Sequence, residues 1–321
     1  MSRGQQEGAD SWGIGAAALV LLLSATWLLV RLSLTGAPIG ITSAGRVGLT
    51  TISLWALHHL VSRAPQGDRP VLPVPALPRH ETILLSITGV SGYTALSTGA
   101  IAVGGPVLPA LVMSTSPLVV LLLVAVLERR RPTMVVLLGT TAAVGGTVGY
   151  LLDGSSMTLD GIALLGPGLA LGAVGCMSCY VIRFARLTRG YHGPMTPVIL
   201  PIHACGAVPL IVWGGVEMSA GARVSLTALI ALVVLGVLVY APVHLLQHRL
   251  LARIGASPVS LLGLAVSPLV AVEAGLLGLA AWPTLLQWAA ILVTMLGMAV
   301  VLGLNRSPAP CPRRSPSPRS C

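Results

Sequence analysis

The sequence predicts an all-α integral membrane protein with ten transmembrane helices arranged as two inverted five-helix repeats. Three observations predict it. Of 321 residues, 55% are apolar and only 9% are charged, and mean hydropathy is +0.89, whereas a soluble domain carries about 25% charged residues. Ten apolar stretches follow one another, each close to the roughly 20 residues that a membrane helix needs. The second half also repeats the residue order of the first while exchanging its charges.

This composition excludes a water-soluble globular enzyme, because so few charges cannot cover a hydrated surface, and it excludes a disordered chain, whose apolar content is low. All 19 basic residues are Arg, and the net charge is +10. They stand in small groups between apolar runs, as in loops flanking membrane spans, so no nucleic-acid partner is expected. Cys176, Cys179 and Cys205 lie inside apolar runs, so the five Cys form no disulfide framework.

The apolar stretches cover about 13–30, 44–62, 82–103, 107–127, 133–152, 161–182, 196–215, 226–247, 256–279 and 285–304. Helices satisfy their own backbone in lipid, and runs such as Val119–Leu127 lack the alternation of barrel strands. The first run ends at Arg31 without a clear small-residue cleavage site and is followed by further spans, so it reads as a retained helix. The chain then divides into a cytoplasmic N-terminus (1–12), a first five-helix repeat (13–152), a second (161–304) and a disordered cytoplasmic tail (305–321). The Arg63–His80 loop, with Pro65, Pro70, Pro73, Pro75 and Pro78, reads as extended and solvated.

Arg placement sets the expected orientation. With the N-terminus inside, only Arg31, Arg46 and Arg223 of the 19 basic residues fall outside, which leaves sixteen inside. Both termini are therefore expected in the cytoplasm of a multi-pass cell-membrane protein. The Arg residues of the tail are a candidate contact with anionic membrane lipid.

The internal repeat has an offset of 151 residues. Ser116-Pro117-Leu118-Val119 falls on Ser267-Pro268-Leu269-Val270, Pro132-Thr133 on Pro283-Thr284, and Gly146 on Gly297. At an offset of 153, Trp27 falls on Tyr180. Five spans per half is an odd number, so the second half should run upside down. Arg129, Arg130 and Arg131 fall on Ala280, Ala281 and Trp282, while Arg249 and Arg253 fall on Thr98 and Ala102. Inverted repeats of this kind build many secondary transporters, with the substrate held between the halves.

The stretch Ser116 to Leu152, SPLVVLLLVAVLERRRPTMVVLLGTTAAVGGTVGYLL, resembles the drug/metabolite transporter superfamily, EamA-type. Pro117, Glu128 and Gly146 match that family's Pro-bearing span, terminal Glu and Gly-rich span, and Arg46 resembles the Arg at the start of its second span. The resemblance covers about 13–152 and 161–304; it weakens where Leu279 replaces the terminal Glu. It implies ten helices, two inverted repeats, a cavity lined mainly by helices 1–4 and 6–9, and export of small metabolites or drugs.

Ionisable groups at membrane depth are candidate functional residues. Glu273 reads either as a proton-coupling or substrate-binding carboxylate or as a structural partner of Arg46 or Arg31. His203 lies near the midplane of its span. His244 and His248 share a helix face, but no third ligand is apparent, so no metal site is expected. Tyr93 falls on His244 at the 151 offset, and both are candidate cavity-lining residues, as are Trp27 and Trp55, which read alternatively as packing or interfacial anchors. His58 and His59 read as interfacial. Pro117 and Pro268 are candidate kinks that open backbone to the cavity. Glu128 is either a hinge clasp or a solvated ion pair with the adjacent Arg residues.

Cys176-x-x-Cys179 inside an apolar helix reads as small-residue packing. Gly145-x-x-x-Gly149 and Gly168-x-x-x-Gly172 permit close helix contacts and leave a homodimer open. No phosphate-cradling GxxxxGK[ST] motif occurs, so coupling would come from protons or exchange, with no cofactor. Helix 1 has no carboxylate for a lipophilic cation, which favours neutral or zwitterionic small molecules such as amino acids and their derivatives. Uptake or nucleotide-sugar exchange is the runner-up. A membrane-embedded enzyme would need a catalytic constellation at one depth, and the spans hold no carboxylate pair; a non-transporting membrane protein is the remaining alternative.

Overall fold

A computed structural model describes residues 3–63, 77–127, 129, 133–153, 161–191, 193–254, 259 and 262–304. Among the described residues the chain is helical, with no strand. The tail 305–321, Glu128 and most of the Pro-rich loop lie outside the described residues.

The first half contains α1 (Arg3–Leu34), α2 (Ile39–Arg63), α3 (Arg79–Leu85), α4 (Tyr93–Gly104), α5 (Val107–Ser114), α6 (Ser116–Leu127) and α7 (Met134–Asp153). The second contains α8 (Gly161–Leu187), α9 (Thr196–Ser219), α10 (Leu226–Val233), α11 (Ala241–Ile254), α12 (Val266–Leu276) and α13 (Leu285–Leu304). Wide π-helical segments, Ser86–Gly92 and Val234–Tyr240, join α3 to α4 and α10 to α11.

Four stretches are long and apolar enough to cross a bilayer: Ala17–Leu34, Leu164–Leu187, Thr196–Ser219 and Leu226–Ala252. Four shorter apolar stretches accompany them. The outward faces carry exposed Leu138, Ile211, Leu238 and Leu296 within their helices, a surface that suits lipid tails and not water. Hydroxyls inside the bundle turn back onto their own helix: Thr26 donates to the Leu22 carbonyl at 3.0 Å and Thr51 to Val47 at 2.8 Å. This satisfies a polar group where no water is at hand.

The packing has a two-fold pattern. Helix α1 packs on α10 and α12, while α8 packs on α4, α5 and α6. Helix α2 packs on α9, and α7 packs on α13. Exchange of the two halves turns each of these pairs into itself or into another. The α7–α13 crossing repeats this relation at single residues. A Cβ at Gly146 would lie 2.6 Å from the Ala290 carbonyl oxygen; one at Gly297 would lie 2.8 Å from the Gly139 carbonyl oxygen. Gly139 and Ala290 are themselves 151 apart. Only a glycine lets the two backbones come this close.

The repeated Pro-Thr turns have a local explanation. Thr284 caps α13: its hydroxyl accepts from the Gln287 N–H at 3.1 Å, and the Gln287 side chain accepts from the Thr284 N–H at 3.1 Å. This is a reciprocal capping box. Thr133 accepts from the Val136 N–H at 3.4 Å in the equivalent position on α7. The Asp153 carboxylate at the end of α7 accepts from the Thr284 hydroxyl and ties the two helices together.

Two expectations change. Pro117 and Pro268 do not kink continuous helices. Helix α5 ends at Ser114 and α6 restarts at Ser116, so Pro117 is the second residue of a new helix. Pro268 is the third residue of α12, after the 3₁₀ turn Gly263–Ala265. The first turn of a helix has N–H groups without helical partners, so a proline loses nothing there. At Pro117 the helix is interrupted at Thr115, whereas at Pro268 the 3₁₀ turn runs straight on into α12.

Glu217 on α9, which sequence reading passed over, anchors the start of α2. Its carboxylate accepts from the backbone N–H of Gly40 at 3.0 Å and of Ile41 at 2.8 Å. A Cβ at Gly40 would sit 2.7 Å from the Glu217 carboxyl carbon, so glycine admits the cap. A negative group here also suits the positive end of the helix. Glu217→Ala is expected to destabilise the fold by about 1–2 kcal/mol, read as a lower thermal midpoint in detergent, with Glu217→Gln losing less.

Candidate functional site

A central cavity of about 110 Å³ lies where the two halves meet. Trp27 and Leu23 of α1, Tyr93 of α4 and Ser114 of α5 form one side. Met177 of α8, Tyr240 and His244 of the α10–α11 rod and Val266 of α12 form the other. The wall is mainly apolar and aromatic, with a few polar tips. The break described above serves it. Ser114 and Ser116, on either side of the α5–α6 break, both line the space. Tyr240 closes one π segment and Tyr93 follows the other; π turns rotate the following side chains relative to a plain α-helix and often mark functional positions.

Behind the two tyrosines sits Arg46 of α2, 1% exposed. Its Nη2 donates to the Tyr240 hydroxyl at 2.5 Å and its Nη1 to the Ser97 hydroxyl at 3.4 Å. The guanidinium carbon lies 4.2 Å from the centre of the Tyr240 ring and 5.7 Å from that of Tyr93. These faces supply cation–π attraction. Arg46 Nε has no partner.

Aromatic and imidazole rings continue inward from Tyr240. Its ring centre is 4.4 Å from that of His244, which is 4.4 Å from His203 and 5.5 Å from His248. His248 is held by the His244 carbonyl and by the Tyr180 hydroxyl, each at 2.5 Å. His203 and His244 are buried, and none of their four ring nitrogens has a hydrogen-bond partner. Helix α2 packs on both α9 and the α10–α11 rod, and His203 of α9 meets His244 of the rod in ring contact. Among the described residues no group of three or more His, Cys, Asp or Glu is arranged to hold a metal ion.

The other candidates fall elsewhere. Trp55 is 55% exposed and meets His59 edge-on at 4.5 Å, on the outside of the bundle and away from the cavity. Glu273 does not pair with Arg46. It accepts from the Ser24 hydroxyl at 3.1 Å across the α1–α12 contact, and its second oxygen is buried without a partner. It makes no ion pair among the described residues. Cys176 and Cys179 are free thiols, the second exposed. Tyr240, Ser97 and Ser24 were not singled out in the sequence, although Tyr240 stands one turn before His244 on the face shared with His248, and Ser97 falls on His248 at the 151 offset.

Fold and cavity together describe a helical bundle of membrane type with a central aromatic cavity built by both halves. No protein-family model matches the sequence, and no curated protein matches it. Among solved structures, a crystal structure of a protein aligns with TM-score 0.63 at 21% identity, over 92% of this chain and 99% of the other. At that identity the likeness speaks for the fold alone.

Proposed function

We propose that this chain is a secondary transporter of the drug/metabolite transporter kind that its sequence resembles. In this reading ten helices cross the cell membrane as two inverted halves, and small metabolites, amino acids or their derivatives foremost, or drugs leave the cell by alternating access. One observation carries the reading: a cavity where the halves meet, lined by both, with the unpartnered His244 among its polar groups. The two-fold packing supports it, since alternating access rocks one such half against the other around a fixed site. The cavity, about 110 Å³, is small beside the roughly 300–1,000 Å³ pockets of drug-sized ligands, which favours a small metabolite over a nucleotide sugar.

Glu273 is the proposed coupling group, because a carboxyl with one oxygen on a hydroxyl and the other unpaired can exchange a proton without breaking an ion pair. The test is flux in proteoliposomes across a metabolite panel, with and without a pH gradient. Wild-type protein is expected to give saturable flux that the gradient drives. Glu273→Gln should keep downhill exchange and lose the response to the gradient. An unchanged gradient response would remove Glu273 from the mechanism, and absence of flux for every compound would end the transporter reading.

A further inference from the structure

We infer that the cavity recognises a carboxylate through Tyr240 and His244, which line it, with Arg46 behind Tyr240 as the counter-charge; the inference deepens the transporter reading by naming a substrate class, although binding is testable without transport. Arg46 is the largest fully buried side chain among the described residues. A buried charge is costly unless an opposite charge and hydrogen bonds compensate it. Arg46 has hydrogen bonds to two hydroxyls and two aromatic faces, but it forms no ion pair among the described residues. Of its five N–H donors, Nε is unpartnered. The sequence-based partner, Glu273, is committed to Ser24 on another helix contact.

The neighbours favour an anion as well. The string beyond Tyr240 adds His244 and His203, with no partner on any of their ring nitrogens and no carboxylate between them. Neutral or protonated, each imidazole offers a donor. His244 and Tyr240 face the cavity directly, so a ligand there meets one end rich in donors and positive in charge. The rest of the lining, with Leu19, Leu23 and Trp27 of α1 among it, is mainly apolar. A compact molecule with a carboxylate at one end and a small apolar body matches both parts. Among the described residues no carboxylate lines the cavity to claim an ammonium group, so recognition rests on the acid and tolerates an amine.

The full-length protein in detergent is tested by thermal shift with L-valine against L-valinamide and isovalerate against isovaleramide. Each pair differs in the acid alone, and the two acids separate a zwitterion from a simple anion. One or both acids should raise the midpoint while their amides do not. In Arg46→Gln the acid should bind at least about tenfold more weakly, as expected on loss of the positive charge behind Tyr240, and Arg46→Lys should restore part of it. If Arg46→Gln does not fold, the acid–amide comparison on wild-type protein and Arg46→Lys still decides. Amides that match their acids, or no shift with either acid, overturn the inference. Flux in proteoliposomes separates the two readings. Acids that bind but never move refute transport and leave the carboxylate site standing; amides that move as fast as acids do the reverse.

Discussion

A methyl group added at Gly146 or at Gly297 is expected to destabilise the bundle by about 1–3 kcal/mol, whereas the same change at Gly145, one residue away, should stabilise it by up to about 1 kcal/mol. The contrast follows from what each Cβ would meet. At Gly146 it would lie 2.6 Å from the Ala290 carbonyl oxygen, and at Gly297 2.8 Å from the Gly139 carbonyl oxygen and 3.0 Å from the Ala143 nitrogen. These are backbone atoms inside hydrogen-bonded helices, so they cannot rotate away, and α7 and α13 must separate. At Gly145 nothing lies within 4 Å, and a helix gains from alanine what glycine loses in backbone entropy. Thermal unfolding in detergent, followed by circular dichroism, reads all three variants. Equal midpoints for Gly145→Ala and Gly146→Ala would refute the close crossing.

Cysteines placed at Met134 and Leu285 in a background without native cysteines are expected to react with a membrane-impermeant maleimide from opposite sides of the membrane. The two positions are 151 apart and open α7 and α13 respectively. Both side chains are strongly exposed, 75% and 87%, so a thiol at either place is accessible to reagent at the membrane edge. Under the proposed inverted topology, Met134→Cys is labelled only after the membrane is permeabilised and Leu285→Cys is labelled in intact cells. The effect is all or none. Labelling of both from one side would mean that the halves run parallel, and alternating access between inverted halves would then lose its basis.

The two proline sites show how far local chemistry reaches. Pro-Thr at 132–133 and 283–284 is a start signal, and Thr133 and Thr284 do accept N–H groups of the next turn. The prolines at 117 and 268 carry the same kind of signal, yet they stand inside long apolar runs, so a kink was the natural expectation. The turn at Thr115 and the 3₁₀ segment before Val266 are what differ. Trp55 was readable in hindsight. It lies nine positions beyond Arg46 on α2, which at about 3.6 residues per turn is two and a half turns, so the two must face opposite ways.

The sequence by itself determined what depends on composition and near neighbours: an all-helical chain, apolar enough for lipid, with its helix starts marked and a pattern recurring at 151 residues. Tertiary structure alone decided the site. Arg46 meets Tyr240 across 194 residues, Glu273 meets Ser24 across 249, and Glu217 meets Gly40 across 177. A soluble helix shows its inward face as an apolar stripe. Helices apolar all round show no such stripe, so the rotation of each about its axis is set by packing against its neighbours, and that rotation chooses which side chains share the cavity.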